Sequence, residues 1–299
     1  MAAVLNSNVA SLWASKNLQG AQSKMADSVE RLSSGLRINR AGDDAAGLGI
    51  ANALTQQING ANQGIRNLND GISMVQTAEG AIAAAQEMAQ RILTLATQGA
   101  NETLGLTERK AIRSEMKQLM IAIDGISGRT KFSGVSLLDG TAKTLQSSNA
   151  SGDTITLSAS AFTSIGVGAL TGGTGTTFDN IGGTWAGAAG ALMGQINGTA
   201  DASLVTADFT DIQGAAQTYL TTLVTQRSLL GALQNQIEFT VSNVTELSSN
   251  LAAARSNVQD TDYASETASL TKGQILQQAA TAMLAQANQM PNVILSLLK

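Results

Sequence analysis

The sequence predicts a mainly α protein in which long helices from the N- and C-terminal regions pair antiparallel as coiled coils, around a small β or irregular middle rich in Gly and Thr. Three observations predict it. Two stretches, 51–96 and 212–251, each carry a sustained heptad seam, the pattern of helices that pack side by side. The single proline, Pro291, lies almost at the end, so nothing forbids long uninterrupted helices before it. Residues 164–198 hold eleven of the thirty glycines, which separates the two seams with a stretch that cannot continue them.

The elements follow in order. Residues 3–33 read as a helix, with Leu18, Met25, Val29 and Leu32 near helical spacing. The pattern breaks over Ser33–Gly42, where Gly35 and Gly42 flank a short extended piece, and Asp43 or Asp44 can cap the next helix. That helix carries the first seam: Ala51, Leu54, Ile58, Ala61, Ile65, Leu68, Ile72, Val75, Glu79, Ile82, Gln86, Ala89, Leu93, Ala96. Only Glu79 and Gln86 are polar in it. A third helix is expected from about Thr107 to Ile126. From Thr130 to Leu157 the period changes to that of hairpins, and Asp153–Leu157 alternates like a strand. Residues 164–198 are expected to be irregular or short-stranded, and exposed. Asp208 restarts a helix whose seam runs Ile212, Ala216, Tyr219, Leu223, Gln226, Leu230, Leu233, Ile237, Thr240, Val244, Leu247, Leu251. The two seams are of similar length, about 60 Å at the usual rise, and are natural antiparallel partners. A second break is expected at Asn257–Thr261, with Asp262 capping a last helix. Termini together at one end of a rod and the glycine-rich middle at the other is the layout this order implies.

Both ends of the chain are apolar where termini are normally solvated. Met1–Ser15 and Gly273–Leu298 contain no charged residue. The first includes Val4, Leu5, Val9, Leu12 and Trp13. The second includes Leu276, Met283, Met290, Val293, Ile294, Leu295, Leu297 and Leu298. Leaving such side chains in water forfeits roughly 1.5–3 kcal/mol each, so burial by other copies of the same chain is expected. These residues are the candidate self-assembly interface. No run of about 18 consecutive apolar residues exists to span a membrane, and the N-terminus lacks the basic and apolar regions of a Sec signal peptide. The chain has no Cys and no His, which removes disulfides, thiolate chemistry and the usual neutral-pH acid–base group. A net charge of −4 argues against nucleic acid. Asp43 and Asp44, with no third ligand placed by sequence, read as a helix cap rather than a metal site. Gly172-Gly173-Thr174-Gly175 is followed by no Lys-Ser/Thr and reads as a loop rather than a phosphate cradle. No catalytic, cofactor or metal site is predicted, and no enzyme activity.

Leu32-Ser33-Ser34-Gly35-Leu36-Arg37-Ile38-Asn39, then Asp43-Asp44-Ala45-Ala46-Gly47-Leu48-Gly49-Ile50-Ala51, closely resemble the N-terminal signature of bacterial flagellins. Asp260-Thr261-Asp262-Tyr263-Ala264-Ser265-Glu266 and Gln274-Ile275-Leu276-Gln277-Gln278-Ala279 resemble the C-terminal one. The match covers roughly 1–140 and 205–299. The resemblance implies an extracellular filament subunit of the bacterial flagellum, used in motility. It implies terminal helices 1–34 and 263–299 forming the filament core, linkers at 35–43 and 256–262, a helical rod with a hairpin at 44–140 and 205–255, and a variable outer region at 141–204. It also implies a helical homopolymer whose subunits meet an export chaperone, the flagellar type III export apparatus, and cap and junction proteins. Some members are sensed by an animal innate immune receptor through the first long helix and the next. Gln90-Arg91-Ile92-Leu93-Thr94-Leu95 keeps part of that pattern, with Leu93 and Thr94 where a charged pair is often found. A hook–filament junction protein of the same axial family, or a soluble coiled-coil binding protein, are the alternative readings. The second leaves the apolar ends unexplained.

Overall fold

The computed structural model describes residues 8–166, 187–198 and 204–297, with side chains described to residue 289. It is mainly α. Helices α1 (Val9–Ser34), α2 (Ala45–Gly99) and α3 (Leu106–Arg129) are followed by strands β1 (Lys131–Phe132), β2 (Val135–Ser136), β3 (Lys143–Gln146) and β4 (Thr154–Leu157), then a 3-10 turn (Ala159–Phe162). Helices α4 (Gly187–Gly198), α5 (Thr206–Gln259) and α6 (Tyr263–Leu297) complete the chain. It divides into two compact units, Met1–Ile58 with Ser248–Lys299, and Asn59–Leu247.

In the first unit, α1 and α6 run antiparallel. Asn8 caps α1 by accepting from the Ser11 N–H at 3.0 Å and donates to the Ala287 carbonyl at 2.7 Å. Ser11 donates to Asn288 at 3.0 Å, and at the other end Arg31 lies 3.9 Å from Glu266. The buried spine of α1 is Ala14, Ala21 and Ser28, one residue per heptad. It meets Gly273 beside Ala21, and Gly273 and Ala287 of α6 are also buried. A Cβ on Gly273 would already touch the Met25 Cβ at 3.5 Å, so the backbones lie close. Of the predicted face, Leu18, Met25 and Leu32 are half-buried beside this spine, while Val29 is exposed. The predicted α1 residues 3–7 lie outside the described residues.

In the second unit the two heptad seams pair as expected. Leu68, Val75, Ile82 and Ala89 of α2, and Tyr219, Leu223, Leu230 and Ile237 of α5, are buried together in one apolar core. The antiparallel register is marked by Arg227 to Gln86 at 3.0 Å and to Glu79 at 3.2 Å, and by Gln213 to Thr97 at 3.5 Å. Thus the two polar members of the α2 seam are both reached by one arginine. A second face of α2, with Ala78, Ala85 and Ile92, shares the core with Ile112, Met116, Met120 and Ile123 of α3.

The hairpins form where the period changes. Ser133 and Gly134, with φ of 50° and 84°, make the tight reversal between β1 and β2. β3 and β4 pair antiparallel, Thr144 opposite Thr156. β3 and the loop after it approach α2 over glycines: a Cβ on Gly64 would sit 1.7 Å from the Ser147 carbonyl oxygen, and one on Gly71 2.2 Å from Leu145. Asn67 fixes the contact by donating to the Gln146 carbonyl at 3.0 Å.

Two expectations are corrected. Residues 187–198 are a helix, not irregular or stranded, and Leu192, Met193 and Ile196 are fully buried. Four glycines in α4 cost roughly 1 kcal/mol each in propensity, but burial of three large side chains outweighs that. Of residues 164–166, Ser164 is exposed as expected, but Ile165 and Gly166 are buried. Ala161, Phe162 and Ile165 are buried, with Ile165 held by the Tyr219 hydroxyl donating to its carbonyl at 2.6 Å. Burial pushes the Tyr219 hydroxyl well above the ordinary phenol range. Residues 167–186 and 199–203 lie outside the described residues. The second break is shorter than expected, because α5 continues to Gln259 and only Asp260–Asp262 separate it from α6.

Candidate assembly interface

The predicted interface residues that the structure describes are exposed. Leu12 is 74% exposed, Trp13 61% and Met283 65%, and Val9, Leu276 and the neighbouring Ile275 are exposed with them. The physical cause is the choice of small residues for the α1–α6 seam. Ala14, Ala21, Gly273 and Ala287 take the inside, which turns the large side chains out. Of Leu276, Ala279, Met283 and Ala287, which helical spacing puts on one side of α6, only Ala287 is buried. Lys16 lies 5.8 Å from the Trp13 ring centroid, a cation–π contact that leaves the ring in water. Met290, Val293, Ile294, Leu295 and Leu297 belong to α6, with no side chain described. Val4, Leu5 and Leu298 lie outside the described residues.

The signature residues meet in one junction within the first unit. Leu32 is half-buried and Ser33 exposed near the end of α1. Gly35 ends that helix at φ 74°, a left-handed position that favours glycine, and its N–H donates to the Arg31 carbonyl. Ser34 Oγ accepts from the Leu36 N–H at 3.1 Å. Leu36 forms a β-bridge with Asp260, closed by Arg37 N–H to Gln259 O at 2.7 Å and Thr261 N–H to Gly35 O at 3.0 Å. The Arg37 guanidinium reaches the Val258 carbonyl at 2.6 Å. The two chain breaks, more than 200 residues apart in sequence, are thus hydrogen-bonded to each other.

The carboxylates divide the remaining work. Asp43 accepts from the Arg40 and Asn39 N–H groups at 2.9 and 3.0 Å, and these bonds hold it below the ordinary carboxylate range. Asp44 accepts from the Gly47 N–H at 2.9 Å and is the cap of α2. Asn39 and Arg40 both bind Glu30. Asp260 accepts from Ser256 at 2.6 Å, and Asp262 caps α6 through the Ala264 N–H at 2.9 Å, as predicted. The Tyr263 hydroxyl lies 3.0 Å from where a Gly35 Cβ would stand. Sequence reasoning did not reach Glu30, and it placed Ile38 and Glu266 within the signature runs without a role of their own. Ile38 is 2% exposed and packs where a Gly47 Cβ would come within 2.6 Å of it. An isolated isoleucine between the polar residues Arg37 and Asn39 is the signal that could have found it. Gly35, Ser34, Arg37, Asp43, Asp44 and Asp262 serve backbone closure or capping. Among the described residues no cluster of three or more Asp or Glu could hold a metal, and no helix is long and apolar enough to cross a membrane.

Two family models match this chain, one described as the bacterial flagellin N-terminal helical region over residues 5–143 and one as the bacterial flagellin C-terminal helical region over 213–298. Flagellin of Bacillus subtilis is 39% identical, over 99% of both chains. The chain belongs to the bacterial flagellin family. The flagellar filament 33 kDa core protein of Treponema phagedenis is 36% identical over 99% of this chain and 100% of its own. A solved structure of a putative flagellar hook-associated protein from Vibrio parahaemolyticus shares the fold, at 14% identity and a TM-score of 0.55, covering 73% of this flagellin-family chain and 100% of that one. The flagellin models take in the first seam, the second seam from residue 213 on, the signature junction and nearly all of the terminal pair, and neither covers 144–212.

Proposed function

We propose that this chain is the repeating structural subunit of a bacterial flagellar filament, built outside the cell and serving motility. The observation that carries it is the inside-out terminal pair: α1 and α6 spend their small residues on each other and present Leu12, Trp13, Ile275 and Met283 to solvent. Burying these against neighbouring copies gains roughly 1.5–3 kcal/mol per side chain. Contacts between unlike faces that do not close into a ring generate an open helix of subunits. In this reading 1–34 and 263–299 form the filament core and 35–43 with 256–262 link it to the next layer. Residues 44–140 with 205–255 make that layer, and 141–204 face outward. The role is mechanical rather than catalytic, and passage through the flagellar export apparatus precedes assembly beneath a cap.

The test is electron microscopy of the full chain in precipitating salt, seeded with short filament fragments, beside a variant lacking 1–30 and 275–299. Uniform tubes from the full chain and none from the variant are expected. A full chain that stays monomeric with its termini protected from hydrogen exchange overturns the reading.

A further inference from the structure

The outward face of α1 orders its residue types along the helix. Val9, Trp13, Lys16, Gly20 and Lys24 follow at steps of three and four residues, with Leu12 beside Trp13, and all are exposed. Ala14, Ala21 and Ser28 take the opposite, buried side. Apolar bulk comes first and cationic heads follow. The two meet at Lys16, whose ammonium lies 5.8 Å from the Trp13 ring centroid. On α6, Ile275 and Met283 are exposed, and so is Lys272. The charge of this pair is one-sided. Residues 1–26 and 267–299 carry Lys16, Lys24, Lys272 and Lys299 and no Asp or Glu. All 22 acidic residues lie between them, so the terminal pair is cationic in a chain of net charge −4.

We propose that this face docks the free subunit on the surface of an anionic phospholipid bilayer, lying in the headgroup layer without crossing it. Helices that lie on membranes carry large apolar side chains on one face and Lys or Arg at its border. Tryptophan favours the headgroup boundary, where its ring is half in apolar surroundings. Lysine stems run along apolar surface and deliver their ammonium groups to the phosphates. Each lysine near an anionic surface raises binding about fivefold. The acidic remainder of the chain is repelled by the same surface, so the terminal pair alone can be the attachment. Charge also decides the occupant. Two copies meeting through this same face would set lysines against lysines, whereas a layer of lipid phosphates complements them. The inference goes beyond the filament reading: it concerns the subunit before neighbours cover the face, and it holds or fails without a filament.

The experiment sediments the full chain, unseeded and in low salt, with vesicles of phosphatidylcholine alone or of phosphatidylcholine and phosphatidylglycerol in equal parts. Binding to the mixed vesicles is expected to exceed binding to phosphatidylcholine by about tenfold or more and to fall as salt is added. Two double variants divide the face: Lys16→Gln with Lys24→Gln, and Leu12→Ser with Trp13→Ser. All four positions are exposed, so circular dichroism and the monomer melting point serve as controls that each variant folds. The lysine variant is expected to lose roughly twentyfold in binding to the mixed vesicles, and the apolar variant about tenfold or more. Equal binding to the two vesicles overturns the proposal, and so does either variant binding like the parent. A parent chain that stays in the supernatant with both vesicles overturns it, as does a chain that pellets equally without vesicles, where a second copy is the occupant. Seeded elongation of the parent chain, run separately, decides the filament reading whatever the vesicles show.

Discussion

A methyl group added at Gly64 would place its carbon 1.7 Å from the Ser147 carbonyl oxygen, inside any real contact distance. Backbone cannot yield as a side-chain tip can, so Gly64→Ala must move the β3–β4 hairpin off α2. The expected cost is about 1–3 kcal/mol, the range for overpacking, read as a lower melting temperature with faster hydrogen exchange at β3. Gly128, with nothing within 4 Å of its ideal Cβ, is the control, where Ala is expected to be neutral or stabilising. Nothing in the sequence distinguished these two glycines, because the partner of Gly64 lies more than eighty residues away. The caps were legible for the opposite reason. Asp44 and Asp262 act on N–H groups three and two residues on, and short range is what local sequence shows. Asp139 adds a pH dependence. Burial alone would raise its pKa, but bonds from the Thr141 hydroxyl, the Lys143 ammonium and the Thr141 N–H outweigh that and hold it at about 2. A depressed folded-state value means the stabilisation is complete above the ordinary carboxyl range and fades as pH falls from about 4 toward 2. Asp139→Asn is therefore expected to flatten the fall in melting temperature over that window, and an unchanged slope counts against it.

At the scale of elements, the α2–α5 pair is held by a seam that the sequence shows almost completely and a polar crossing that it shows only in half. Glu79 and Gln86 stood out as polar residues on an apolar stripe. Arg227 did not, because it lies one position off its own seam beside Gln226. The structure joins them: one guanidinium spans both, with Glu79 and Arg227 each a little over a third exposed. Screening at that exposure limits the pair to the upper part of the surface range. A double-mutant cycle with Glu79→Ala and Arg227→Ala is expected to give a coupling of about 0.5–1 kcal/mol, and zero coupling would show the two to be independent. Gln226 sits inside the seam and donates to the Thr163 carbonyl at 3.3 Å, so it anchors the segment before residue 167 onto α5. Helix α4 was illegible for a related reason. Its Leu192, Met193 and Ile196 have helical spacing, but glycine composition around them suggested loop, and only the partner surface on α3 decides between the two. Arg113 completes that contact from α3 by donating to the Ile196 carbonyl at 2.5 Å.

Across the whole molecule, apolar side chains fall into two classes that respond oppositely to substitution. Those of the second unit's core are satisfied within the chain: Leu68, Ile82, Ile92 and Leu230 have no exposed surface. Those of the terminal pair are not, as Leu12 and Met283 show. In the free subunit Ile82→Ala is expected to cost about 2–5 kcal/mol, lowering the melting temperature of the monomer. Leu12→Glu and Met283→Glu touch water already and are expected to change monomer stability by no more than about 0.5 kcal/mol. Assembly reverses the order. Burying a carboxylate against apolar neighbours is prohibitive unless it is paired, so either glutamate variant is expected to abolish elongation, whereas Ile82→Ala filaments still grow below the melting temperature of the subunit. Calorimetry on the monomers and sedimentation of the polymer measure the two quantities separately. If Leu12→Glu destabilised the monomer as Ile82→Ala does, the terminal face would already be covered within one chain, and the driving force for a filament would have to be sought elsewhere.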